Sequence, residues 1–107
     1  MNTPPPGTEI SAGDRRLLIN AAVVLYDRHG DAHDVLSSSQ IDVIAKLRPL
    51  AHDPRGEERA AALNPWDVLS VATTAVELTD RHGSDDEDWR AAVERARAYV
   101  EVDDAEG

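Results

Sequence analysis

The segment Asp-Arg-His-Gly occurs twice in this chain, at residues 27–30 and 80–83. Each copy places two potentially cationic side chains directly before a glycine. This arrangement is typical of the end of an α-helix, because cations favour the negative end of the helix dipole and glycine readily adopts the left-handed cap conformation. The chain is therefore predicted to contain two long helices, each ending at a glycine corner.

Side chains that typically begin helices are spread along the same sequence. An oxygen of Ser, Asp or Asn can accept a hydrogen bond from an amide that has no partner at the start of a helix. Such residues stand at five places: Ser11, Ser37, Asp53, Asn64 and Ser84. Ser37 with Gln40, and Ser84 with Glu87, match the capping box, in which the two side chains cap each other's amides.

Prolines divide the chain at matching positions. Pro54 and Pro65 directly follow two of the predicted caps, at the first helical position, where a missing N–H group costs nothing. Pro49 and Pro54 bracket a further break. Together these signals predict five helices, at residues 12–29, 38–48, 54–62, 65–82 and 85–101.

The apolar spacing of these segments predicts an all-α fold. Residues 85–101 carry apolar side chains at three- and four-residue steps, which form one helix face. Residues 23–26 have strand character, but no partner strand is visible in the sequence. Because apolar side chains cover most of the circumference of the first helix, we expect it to be central or to lie in a subunit interface. The predicted architecture is a small bundle of four main helices plus one short helix.

A shift of 53 residues superimposes the two glycine corners. Seven of the fourteen positions from Leu17 to Gly30 are then identical to those 53 residues later. A duplicated helical hairpin with pseudo-twofold symmetry would explain the match, and it predicts similar backbone geometry at the two corners. The alternative is convergence, since both segments end a helix with a cation and a glycine.

The length of 107 residues fits one domain. We expect a disordered N-terminal tail at residues 1–10, a helical domain at residues 11–101 and an acidic C-terminal tail at residues 102–107. The longest apolar stretch, Leu17 to Tyr26, is ten residues long, and spanning a bilayer takes about 20. The chain is therefore expected to be cytoplasmic.

The charge restricts the partners. The formal net charge is -10, whereas affinity for nucleic acid depends largely on basic groups that neutralise phosphates. Direct nucleic-acid binding and binding to anionic membranes are therefore not expected, whereas a basic protein partner is favoured. The absence of cysteine excludes disulfides and thiolate chemistry. No cofactor is predicted.

Histidines and carboxylates lie close together in the first half of the sequence, and imidazole and carboxylate both bind divalent ions. The candidate metal ligands are His29, Asp31, His33, Asp34, His52 and Asp53. The dipeptides His33-Asp34 and His52-Asp53 resemble the His-Asp dipeptide of metal-dependent phosphohydrolases, which implies a hydrolytic metal. Those enzymes use further helical His and Asp ligands. The alternative is an ordinary capped corner.

Five apolar residues are candidates for contact with a partner: Leu18, Val24, Tyr26, Trp66 and Trp89. The two tryptophans are the largest apolar side chains in a chain without phenylalanine. We favour a place for them in the core, because the chain has few other aromatic residues. The alternative is an exposed anchor, since tryptophan is enriched at binding hot spots.

These observations favour a non-enzymatic, acidic protein-binding or regulatory module. It would act through protein–protein contacts, either as a homodimer or with a basic regulatory protein. Two different functions are also compatible with the sequence. One is a metal-dependent hydrolase that uses the His and Asp cluster, and the other is an acidic DNA mimic that inhibits a nucleic-acid-binding protein and requires rows of carboxylates on one surface.

Overall fold

The computed structural model describes residues 10–29, 36–51 and 53–106, with the side chains up to Val100. This part of the chain contains five helices and no strand, which confirms the all-α fold. The helices are α1 (Ala12–His29), α2 (Ser38–Ala51), α3 (Gly56–Ala61), α4 (Pro65–His82) and α5 (Glu87–Glu106). None of them is both long enough and apolar enough to cross a membrane.

Helix α1 lies at the centre of the bundle and contacts each of the other four helices. Helix α4 packs along α1 and also contacts α2 and α5. The large side chains without solvent exposure come mainly from these two helices, and Ile44, Leu47 and Val93 add to them from α2 and α5. Most apolar side chains of α1 are thus buried within a single copy of the chain, whereas Leu17, Val24 and Tyr26 are half-buried.

The predicted caps form at three helix starts. Ser11 Oγ accepts from the amide of Asp14 at 3.2 Å at the start of α1. Ser37 and Gln40 make the reciprocal capping box of α2, with distances of 2.9 and 3.3 Å. Asn64 Oδ1 accepts from the amide of Trp66, the second residue of α4, at 2.8 Å.

Helix α5 begins two residues later than predicted. Its cap is the carboxylate of Asp86, which accepts from the amides of Asp88 and Trp89 at 2.9 and 3.1 Å. Ser84, the predicted cap, instead accepts from the amide of Asp86 at 3.2 Å. A carboxylate at the first turn also gains from the positive end of the helix dipole, which a hydroxyl does not.

Three other boundaries differ from the prediction by two residues or more, and α3 ends at Ala61, one residue before the predicted end. Helix α2 runs through Pro49 to Ala51 rather than ending at residue 48. Pro49 is exposed, and the backbone hydrogen bond that proline removes costs least on the solvent side of a helix. Helix α3 starts at Gly56, because Asp53 first closes a turn with the amides of Arg55 and Gly56. Helix α5 continues through Glu106, past the predicted end at residue 101.

Gly83 ends α4 at the predicted corner and has a positive φ, but it does not adopt the predicted left-handed helical conformation. Gly83 has φ of 77° and ψ of 172°, and its amide donates to the carbonyl of Thr79 at 2.7 Å. This region of backbone space is accessible almost only to glycine. Gly30, the glycine of the first corner, lies outside the described residues, so the predicted similarity of the two corners stays a prediction.

Helices α1 and α4 have the same length and the same pattern of burial. Both contain 18 residues, and every buried position of α1 has a buried counterpart 53 residues later in α4. The buried residues of α1 are Arg15, Leu18, Ile19, Ala21, Ala22, Val23 and Leu25, and those of α4 are Val68, Val71, Ala72, Thr74, Ala75, Val76 and Leu78.

Four ion pairs repeat the same spacing. Asp27 pairs with Arg48, and Asp80 pairs with Arg97, each joining a long helix to the helix that follows it. Asp14 pairs with Arg95, and Asp67 pairs with Lys46, each joining the start of a long helix to the other half of the chain. Asp27 and Asp80 are 53 residues apart, as are Asp14 and Asp67. Their basic partners are 49 residues apart in both cases: Arg48 and Arg97, and Lys46 and Arg95.

Candidate functional site

The ends of the two long helices meet at their histidines. The imidazole rings of His29 and His82 stack with their centroids 3.6 Å apart and their planes 6° from parallel. They line a cavity of about 400 Å³ together with Arg28, Gly83, Ser84 and Asp85. The sequence showed that both histidines end a helix, but only the packing of α1 against α4 brings the rings together.

The candidate metal cluster is described only in part. Asp31, His33, Asp34 and His52 lie outside the described residues. His29 stacks on His82, which was not among the predicted ligands. Asp53 accepts from the amide of Arg55 at 2.8 Å and forms an ion pair with Arg59 Nε at 2.9 Å, so its carboxylate serves a local turn. Within the described ranges no group of three or more His, Cys, Asp or Glu side chains is placed to hold a metal ion.

The two tryptophans have different environments. Trp66, in the first turn of α4, is 62% exposed and is the one exposed large hydrophobic side chain among the residues described. Trp89 is half-buried and packs against the core. The prediction that both tryptophans lie in the core is therefore wrong for Trp66, whereas the half-buried position of Trp89 agrees with it. Amphipathic spacing did not distinguish them, because both lie near the start of an apolar helix.

The remaining candidate partner contacts lie on α1. Leu18 is fully buried in the core, so its prediction as a partner contact is corrected: its side chain does not reach the surface of the chain. Val24 and Tyr26 are half-buried. The Tyr26 ring lies 6.0 Å from the guanidinium carbon of Arg48, within the range of a cation–π contact.

Several carboxylates are held by arginines at short distances. Both oxygens of Asp80 accept from Arg97, at 2.7 and 3.0 Å. Hydrogen bonding to Arg97 lowers the pKa of the Asp80 carboxyl, although partial burial opposes this effect. The same contact raises the pKa of Arg97 above its usual value. These two groups stay ionised at neutral pH, which suits a structural ion pair and not proton transfer.

A second bidentate pair borders a groove between the start of α1 and the middle of α5. Arg95 donates to both oxygens of Asp14, at 2.7 and 2.8 Å. The groove has a volume of about 490 Å³ and is lined by Ile10, Ser11, Asp14, Arg95, Ala96, Ala98 and Tyr99. Its lining combines this ion pair with the hydroxyl group of Ser11 and with apolar surface from Ile10, the two alanines and Tyr99.

Sequence reasoning missed the role of Arg15. This residue is only 8% exposed, and its guanidinium donates to the carbonyls of Ile10, Ala60 and Ala61 at 2.8, 3.0 and 3.1 Å. It therefore ties the start of α1 to the end of α3. The available signal was its position, because Arg15 lies on the same helix face as Leu18 and Ile19.

Comparison of the chain with protein-family models, with curated proteins and with solved structures gave no match. The functional argument therefore rests on the geometry of the chain itself.

Proposed function

We propose that this chain is a non-enzymatic, acidic module that binds another protein. The observation that carries the proposal is the exposure of Trp66. A tryptophan that is 62% exposed leaves a large apolar surface in water, and burial of such a side chain against a partner is a common source of binding energy. The net charge of -10 adds long-range attraction for a basic partner.

A basic regulatory protein fits this charge better than a second copy of the chain does. Two copies would bring together two net charges of -10, which repel each other at low ionic strength. The apolar circumference of α1 would favour a homodimer if it were unpartnered, but contacts with the other four helices bury most of it. We therefore rank the homodimer second.

The acidic DNA mimic and the metal-dependent hydrolase gain less support. A DNA mimic needs rows of carboxylates on one surface, but exposed carboxylates stand on all five helices, for example Asp27, Asp42, Glu57, Asp80 and Glu94. A metal-dependent hydrolase needs several ligands around one ion. The two described candidates, His29 and Asp53, are engaged with His82 and Arg59.

The test of the proposed function is capture followed by reconstitution. The tagged full-length chain is incubated with extract of its native host, and each captured protein is purified and titrated against the chain by calorimetry. We expect a basic protein whose affinity falls with added salt. The control is the Asp42→Asn variant, which removes one exposed charge and should change the affinity only slightly. If no captured protein binds the purified chain, the proposed function is wrong.

We also infer that the two halves of the chain arose by internal duplication. Three observations support this inference: identity at seven of fourteen positions around the corners, the shared burial pattern of α1 and α4, and the two matched sets of ion pairs. Convergence on a helix-ending signal explains the corners but not the ion pairs. The test is the backbone conformation of Gly30, determined by crystallography. We expect it to match that of Gly83, and a right-handed helical Gly30 would contradict the duplication.

A further inference from the structure

We draw no further inference here: the strongest candidate, the cavity of about 400 Å³ at the ends of α1 and α4 where the imidazoles of His29 and His82 stack, carries nothing because Arg28 and Asp85 line it with opposite charges and nothing in the described part of the chain shows which ligand would occupy it.

Discussion

Replacement of Arg15 by methionine tests how the start of α1 is joined to α3. Methionine keeps the length of the apolar stem but removes the donors that serve the carbonyls of Ile10, Ala60 and Ala61. Ile10 is 4% exposed, so its carbonyl has little access to replacement water. The carbonyl of Ala60 keeps the amide of Leu63 as a donor at 3.2 Å, and Ala61 is exposed. A buried polar group left without a partner costs about 1–3 kcal/mol.

The carbonyl of Ile10 is the one buried group that this variant leaves without a described donor, and relief from burying a charge lowers the cost. We therefore expect Arg15→Met to reduce the free energy of unfolding by about 1–2 kcal/mol. For a domain of this size the loss corresponds to a fall in Tm of about 5–10 °C. A typical domain has about 5–15 kcal/mol of stability, so the variant should still fold.

Urea unfolding followed by circular dichroism measures this change directly. Arg90→Met is the matched control, because Arg90 is exposed on α5 and its loss should alter stability by no more than about 0.5 kcal/mol. Hydrogen exchange adds a local readout, with faster exchange expected for the amides of α3. If Arg15→Met is as stable as the wild type, the guanidinium does not hold α3 on α1 and the reasoning fails.

Three further changes are predicted. Gly83→Ala should lose about 1–3 kcal/mol of stability, because alanine is strained at a φ of 77°. No atom lies within 4 Å of the added Cβ, so backbone strain is the only cost. Unchanged urea unfolding would contradict this prediction. Gly13→Ala should gain up to about 1 kcal/mol of stability, because alanine favours helix and its Cβ would contact only a carboxylate oxygen of Glu57, at 3.9 Å. A loss of stability in the same assay would contradict this prediction. For the Asp80 and Arg97 pair, the pKa of Asp80 lies below 3.8 in the folded chain, so the stability from the pair is present above pH 3.8 and is lost as the pH falls through the lowered pKa. Arg97→Met should therefore be less stable than the wild type by at most about 1 kcal/mol, because Asp80 is 54% exposed. This difference in stability should become smaller in acid. If it grows below pH 3.8, the ion pair does not stabilise the folded chain.

The local signals of the sequence predicted where helices are but were less exact about where they end. The limits of α1 and α4 follow the prediction, since each has a cap at one end and a cationic turn with glycine at the other. The start of α5 was misplaced because Ser84 and Asp86 both offer cap oxygens only two residues apart. The end of α2 was misplaced because the rule that proline breaks a helix is weaker on an exposed face.

The candidate site was less predictable than the fold. Composition and spacing identified Trp66 and Trp89 as equivalent, and only the packing showed that one is exposed and the other packs on the core. Leu18 gave the opposite error, because an apolar residue on an apolar helix can face a partner or the core. Burial depends on which helices are neighbours, and that information does not lie in the local pattern.

The amino-acid sequence by itself determined the helices, the glycine corner at Gly83 and the negative charge, because caps, dipole preferences and net charge are local or additive properties of residues. The tertiary structure alone decided that the imidazoles of His29 and His82 stack, that Arg15 spans to the carbonyls of α3 and that Trp66 is left at the surface. Each of these depends on contact between residues 45 or more positions apart or on the lack of such a contact. Such contacts follow from how whole helix faces pack, because the energy of a packed face is shared among many side chains and no single segment contains it.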